Sequence, residues 1–87
     1  AALVWASSTP YMTENDPATP RPDRNPQVIE RNAAAGKIMS ESGIQVNDLY
    51  PLVWGRQEYF SKDGVHYNAS GYEVLGTAVA EAVKRYL

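Results

Sequence analysis

Two short apolar runs alternate along the chain with two long segments of helical periodicity. Residues 2–6 (Ala-Leu-Val-Trp-Ala) form a continuous apolar run, which is typical of a strand buried on both faces of a parallel sheet. Residues 44–47 (Ile-Gln-Val-Asn) form a second short run rich in strand-forming residues. The pattern predicts one strand over each run.

The first helical segment has recognisable ends. Asn25 and Pro26 are the residue types preferred as N-cap and in the first helical turn. Gly43 suits the other end, because glycine readily takes the left-handed conformation that follows a helix. These signals predict a helix over 26–42. Strand, helix and strand in this order predict a βαβ unit with parallel strands and a right-handed crossover.

A second long helix is predicted over 69–86, with Asn68 as its N-cap. Residues 48–54 predict a shorter helix of one or two turns, which we expect Asp48 to cap, and 55–62 a loop. Apolar residues in the long helix recur at helical spacing and predict a buried face: Tyr72, Leu75, Val79, Ala82 and Tyr86.

The segment 11–24 is polar and contains Pro17, Pro20 and Pro22. Proline cannot donate a hydrogen bond to a strand ladder, so the sequence predicts a loop. Two interpretations remain open: a flexible surface connection, or a loop that shapes a pocket at the carboxyl end of the first strand.

The size of the chain limits what it can form alone. Its 87 residues suffice for one domain at most and include no cysteine for disulfide bonds. Two parallel strands would each leave an apolar edge open. The chain also begins on an apolar run without an initiator methionine. We therefore expect residues 1–87 to be cut from a longer polypeptide.

Charge and hydropathy exclude several classes of function. The formal net charge is −2, and no basic run exists that would neutralise nucleic-acid phosphates. No apolar stretch reaches the length of a membrane span. His66 is the only histidine, so we expect neither a zinc site nor another metal site.

The candidate chemistry lies in the run Asp63-Gly64-Val65-His66. Gly64 permits a turn that brings the Asp63 carboxylate to the His66 ring. A carboxylate on one ring nitrogen fixes the tautomer and leaves the other nitrogen free to accept a proton. The alternative is a helix-entry loop in which both side chains only satisfy backbone groups.

The surrounding sequence resembles the final block of the SGNH (GDSL-type) hydrolase family, in which Asp-Gly-x-His precedes a polar cap, Gly-Tyr and an amphipathic helix. Weaker matches are the Thr-Pro at 9–10, the segment 32–35 and the Asp-Leu-Tyr at 48–50. The residues that carry the resemblance in the final block are Asp63, Gly64, His66, Asn68, Gly71 and Tyr72.

The resemblance implies a flavodoxin-like three-layer α/β/α fold with parallel strands, of which residues 1–87 are the C-terminal segment. It implies hydrolysis of acyl esters, carbohydrate acetyl esters among them, without a cofactor. His66 would be the general base and Asp63 the acid that orients it. By analogy with the family, the protein would be secreted or periplasmic.

The chain departs from the family in one respect, because no serine stands in a Gly-Asp-Ser motif. We therefore expect the nucleophile from a companion N-terminal segment, and no activity from residues 1–87 alone. The alternative is a non-catalytic fragment that associates with itself through open strand edges. The serines considered are Ser7, Ser8, Ser40, Ser42, Ser61 and Ser70.

Three residues are candidates for contact with a small ester substrate. Val65 and Tyr67 flank the histidine and are expected to wall an acyl pocket. Trp5 lies on the first strand, and two interpretations of it stay open: stacking on a sugar ring of the substrate, or a place in the core, which is the more common role of aromatic residues near strand ends.

Overall fold

A computed structural model describes residues 2–87 and has a mixed α/β architecture. The two long helices and the two short strands occur where the hydropathy pattern predicts them. The elements are β1 (Val4–Ala6), β2 (Met12–Thr13), β3 (Asp16–Pro20), α1 (Asn25–Glu41), β4 (Gln45–Asn47), α2 (Tyr50–Val53), a 3₁₀ turn (Gln57–Tyr59) and α3 (Ala69–Tyr86).

Strands β1 and β4 pair in parallel, with Trp5 opposite Val46. Helix α1 connects them, which confirms the predicted βαβ unit. Successive side chains of a strand point to opposite faces. The ring of Trp5, which pairs with Val46, lies against Gly36 of α1, whereas the amide of the next residue, Asn47, donates to the Ala78 carbonyl of α3 over 3.4 Å. The two long helices therefore lie on opposite faces of the sheet, as in a three-layer α/β/α fold.

Segment 11–24 is not the loop that we predicted, because β2 and β3 form an antiparallel hairpin there. Asn15 takes a left-handed conformation (φ 62°) in the tight turn between the two strands, which asparagine tolerates better than most residues. Pro17 and Pro20 belong to β3. A strand with only one neighbour can hold prolines, because the edge away from that neighbour needs no donor.

The ends of α1 agree with the sequence in part. Gly43 follows the helix with φ of 73°, as predicted. Asn25 is not the N-cap: that position is Arg24, which makes no side-chain capping bond within residues 2–87. The Asn25 side chain is buried instead, accepts from the Tyr11 amide over 2.9 Å and donates to the Tyr50 hydroxyl over 3.0 Å. Its amide joins the hairpin to α2, which explains why it does not cap.

Asp48 does not cap α2, contrary to prediction, because the Ser7 hydroxyl occupies that place. Ser7 Oγ accepts from the backbone amides of Leu49 and Tyr50 over 2.9 and 3.1 Å. It donates to Asp48 Oδ1 over 2.7 Å. A buried serine at the end of β1 therefore satisfies the first amides of α2.

The core is small and joins the hairpin, α2 and residues 59–67. It consists of Met12, Val53, Phe60 and Tyr67, with Tyr59 and Leu75 packed against it. Several large apolar side chains stay exposed, Tyr72 and Val79 of the predicted buried face among them: Leu3 before β1, and Ile29, Ile38, Tyr72, Val79 and Val83 on the helices.

Candidate active site

The Asp63-x-x-His66 sequence lies in a closed loop between the 3₁₀ turn and α3. An isolated antiparallel bridge joins Phe60 to Tyr67 at the base of the loop. Just above it, the Ser61 amide donates to the His66 carbonyl over 2.9 Å. Gly64 reverses the chain with φ of 76°, a conformation that favours glycine.

This turn brings Asp63 and His66 together, as the spacing predicts. His66 Nδ1 lies 2.5 Å from Asp63 Oδ2. The other carboxylate oxygen, Oδ1, accepts from the amides of Val65 and His66 and from the Ser61 hydroxyl, each over 2.8 Å. The carboxylate is therefore held from two sides.

These contacts keep Asp63 ionised. The His66 amide, the His66 ring, the Val65 amide and the Ser61 hydroxyl all favour the charged form and hold the pKa of Asp63 well below its ordinary value. The pair is nevertheless open to water, with the His66 side chain 71% and the Asp63 side chain 47% exposed. Hydrogen bonds rather than burial fix its geometry.

The second ring nitrogen of His66, Nε2, has no hydrogen-bond partner within residues 2–87. A carboxylate on Nδ1 favours the tautomer that carries its proton there, which leaves Nε2 as an acceptor. The arrangement suits a general base that takes a proton from a group approaching the exposed edge of the ring.

Two neighbouring elements hold the loop in place. The hairpin contacts it from one side, with the Met12 amide donating to the Gly64 carbonyl over 2.8 Å. Helix α3 begins directly after it, and Asn68 is the N-cap, as predicted. Its side chain accepts from the Gly71 amide over 3.0 Å and donates to the Glu58 carbonyl over 2.6 Å.

The three predicted substrate contacts lie in different places. Val65 is half-buried beside His66. Trp5 lines a cavity of about 360 Å³ with residues of α1 and β4, a set that does not include the Asp63–His66 pair. Tyr67 is 9% exposed, and its ring centroid lies 4.8 Å from that of Phe60 in the core. Packing alone accounts for Tyr67, and substrate contact stays a prediction for all three.

Sequence reasoning missed the role of Ser61. The sequence suggests Ser61 only as a nucleophile, whereas its hydroxyl donates to Asp63 Oδ1. Its position two residues before an aspartate in a turn was a weak signal, because serine, aspartate and asparagine commonly bond to nearby groups in turns. Within residues 2–87 no serine hydroxyl bonds to His66 Nε2.

Residues 2–87 contain no group of three or more His, Cys, Asp or Glu side chains that could hold a metal ion. Across the same residues, no helix has the length and apolar character needed to cross a membrane.

The chain is similar to a solved structure, the crystal structure of a GDSL-like lipase from Bacteroides thetaiotaomicron VPI-5482. The identity is 22% and the TM-score 0.71, and the match covers 97% of this chain and 43% of that one. The similarity confirms the α/β fold with parallel strands. The chain thus spans less than half the length of the lipase. No family model matches it, and no curated protein does.

Proposed function

We propose that the chain is the C-terminal segment of a serine ester hydrolase, with His66 as general base and Asp63 as the carboxylate that orients it. The contact of 2.5 Å between His66 Nδ1 and Asp63 Oδ2 carries the proposal. Two further observations support it: the Asp-Gly-x-His pattern resembles the SGNH family, and the fold is similar to that of a GDSL-like lipase.

The chemistry assigned to the pair is proton transfer at Nε2. As a serine oxygen attacks the ester carbonyl, Nε2 takes the serine proton and the ring becomes positively charged. The ionised Asp63 stabilises that charge through Nδ1–H. The tetrahedral intermediate then expels the alcohol, which receives the proton from Nε2. Water attacks the acyl-serine by the same route and releases the acid and the free serine.

The nucleophile comes from polypeptide outside residues 1–87 in this proposal. The two serines with the clearest side-chain contacts are already engaged, since Ser7 bonds to Asp48 and Ser61 to Asp63. Acyl transfer by a histidine and carboxylate alone would forfeit most of the acceleration, because the members of a triad act as a unit. The oxyanion donors are expected from the same outside polypeptide.

The free edge of β1 is where we expect that polypeptide to add a parallel strand. Within residues 2–87, β1 pairs with β4 alone. Strand β4 (Gln45–Asn47) is polar at two of its three positions, which is typical of a sheet edge, whereas the apolar β1 is typical of an interior strand. The solved lipase has more than half of its length outside the match.

The exposed apolar side chains favour the same assembly. Ile29 and Ile38 on α1 and Val79 and Val83 on α3 are each more than two-fifths exposed. These helices lie on opposite faces of the sheet. A sheet extended beyond β1, with its own covering helices, would bury such side chains on both faces. The cavity lined by Trp5 and Ile29 lies on the α1 face.

Self-association is the second candidate, favoured by the same open edge and exposed side chains. In that case two copies of the chain would pair through β1, and the Asp63–His66 loop would have no nucleophile. The two proposals differ in what is bound to the chain: a polypeptide with a reactive serine, or a second copy.

Native mass spectrometry with a serine probe separates them. Protein purified from its natural source is treated with a fluorophosphonate and analysed by intact and native mass. A labelled serine outside residues 1–87, in a polypeptide that contains or accompanies this chain, is the expected result. An unlabelled assembly of 87-residue chains would contradict the esterase proposal and support self-association.

A further inference from the structure

We propose that Ser61 is a positioning residue, whose hydroxyl holds one oxygen of the Asp63 carboxylate so that the other faces the His66 ring. Its relevance to catalysis rests on the proposed function, but the geometry it imposes on the pair does not. The tautomer of His66 reports that geometry, and ester turnover reports its relevance to catalysis.

The two oxygens of Asp63 have unequal surroundings. Oδ1 accepts from the Val65 amide, the His66 amide and the Ser61 hydroxyl, each over 2.8 Å. Oδ2 bonds to the His66 ring. A carboxylate whose oxygens differ this much has a strong preference for one orientation about its terminal bond, and that orientation points Oδ2 at Nδ1.

Ser61 differs from the other two donors in its place in the loop. Val65 and His66 follow Asp63 in the chain, whereas Ser61 precedes it and donates from the other side of the turn. Its amide donates to the His66 carbonyl over 2.9 Å, and its carbonyl accepts from the Gly64 amide over 3.3 Å. These two hydrogen bonds tie the Ser61 backbone to Gly64 and to His66. They hold the residue in place, so that its hydroxyl stays near the carboxylate.

The single hydroxyl proton has two acceptors within reach. Asp63 Oδ1 lies at 2.8 Å and the His66 carbonyl at 3.1 Å. The shorter contact is to the charged group, and hydrogen bonds to ionised acceptors are the stronger ones. The hydroxyl therefore donates to the carboxylate.

The hydrogen bond from Ser61 to Asp63 matters because the Asp63–His66 pair is exposed to water. Because the His66 and Asp63 side chains are both substantially exposed, water competes for the carboxylate and no packing prevents its rotation. Without the Ser61 hydroxyl, Oδ1 accepts only from the backbone amides of Val65 and His66. We expect the carboxylate then to sample orientations in which Oδ2 no longer meets the ring.

The first readout is the tautomer of neutral His66, measured by ¹⁵N NMR on the chain labelled at histidine. His66 is the only histidine, so its two ring nitrogens are assigned without ambiguity. Nδ1–H is the expected tautomer in the unaltered chain. Ser61→Ala is expected to lower the ratio of Nδ1–H to Nε2–H by about threefold or more.

Three further variants control for other effects of the change. Ser61→Thr keeps the hydroxyl and is expected to restore the ratio. Ser61→Cys keeps the side-chain volume with a weak donor, so it gives an intermediate ratio and tests the proposal if the alanine variant unfolds. Ser70→Ala removes an exposed hydroxyl on α3 and is expected to change nothing. An unchanged ratio in both Ser61→Ala and Ser61→Cys would overturn the proposal.

The second readout is ester turnover by the polypeptide that carries the reactive serine. Ser61→Ala is expected to lower kcat by about tenfold with KM unchanged, and Ser61→Thr to restore it. An altered tautomer in a protein that turns over no ester would support the positioning role and refute the proposed function. Unaltered kcat together with an unaltered tautomer would refute the positioning role alone.

Discussion

Gly64 lies directly against the backbone of Met12, and the contact joins the Asp63–His66 loop to the hairpin. The Met12 amide donates to the Gly64 carbonyl over 2.8 Å. A Cβ atom on Gly64 would lie 2.6 Å from the Met12 carbonyl oxygen. A second bond runs from the Asn15 amide to the Lys62 carbonyl over 2.6 Å. The hairpin therefore holds the proposed catalytic loop in place through these two hydrogen bonds and the close contact at Gly64.

Gly64→Ala is expected to lower the free energy of unfolding by about 3 kcal/mol. The alanine would have to take a left-handed conformation and displace the Met12 backbone at the same time. Gly43→Ala is the matched control, because Gly43 has nearly the same φ but nothing within 4 Å of its added Cβ. It should lose only about 1 kcal/mol. Urea denaturation measures both, and equal losses would show that the contact with Met12 contributes nothing.

The elements that the sequence predicts well are those with strong local signals. The apolar or β-branched character of residues 2–6 and 44–47 predicts strands, and the residue types at Gly43 and Asn68 predict helix ends. The proximity of Asp63 and His66 was predictable because both lie in one turn with a glycine between them. In each case residues close in the chain determine the outcome.

The features that were missed depend on residues far apart in the chain. The prolines of segment 11–24 indicated a loop, because the sequence alone does not show that β3 has only one neighbouring strand. Asn25 bonds to Tyr11 and Tyr50, and Ser7 bonds to the start of α2, more than forty residues later. Capping preferences reflect only the local sequence. A side chain therefore does not cap its helix where tertiary contacts give it better hydrogen-bond partners.

Asn68→Ala is expected to lower the free energy of unfolding by about 1 to 2 kcal/mol. The change removes the capping bond to the Gly71 amide and leaves the Glu58 carbonyl without its donor. Asn68→Asp keeps the capping acceptor and loses only the contact with Glu58, so it should recover part of the loss. Thermal unfolding followed by circular dichroism gives the comparison; an alanine variant as stable as the unaltered chain would contradict the capping role.

The stability of the fold is expected to depend on the ionisation of Asp63. Its pKa is lower in the folded chain than the ordinary value of 3.8, so folding favours the carboxylate. The stabilisation is fully present above that ordinary value and is lost as the pH falls through the lower, folded value. The difference in unfolding free energy between the unaltered chain and Asp63→Asn should therefore shrink steadily as the pH falls from about 5 towards about 2.

Glu73→Gln is the control for that titration, because Glu73 is an exposed carboxylate on α3 and the variant removes a negative charge away from the loop. The difference measured for this variant at each pH is the background against which the Asp63→Asn difference is compared. A constant difference between the unaltered chain and Asp63→Asn at every pH would contradict the linkage.

Tyr67→Phe separates the packing of the Tyr67 ring from a contact between its hydroxyl and the substrate. The hydroxyl is buried near Thr9 but makes no hydrogen bond of good geometry within residues 2–87, and burial raises the pKa of Tyr67. Its removal should change the free energy of unfolding by less than about 1 kcal/mol and leave ester turnover unaltered. Tyr67→Ala should lose about 3 kcal/mol or more. A phenylalanine variant with native stability and impaired turnover would assign the hydroxyl to the substrate.

In the proposed mechanism His66 activates a serine supplied from outside residues 1–87, and fluorophosphonate labelling with and without His66 measures that activation. The probe is applied to the polypeptide that carries both the reactive serine and this chain, and the rate of serine labelling is compared with that of His66→Ala. The ring is 71% exposed, so its loss should leave the fold intact while labelling and ester turnover fall by about 10³-fold or more. Glu73→Gln should label at the original rate. Undiminished labelling of a folded His66→Ala variant would show that His66 is not the base that activates the serine.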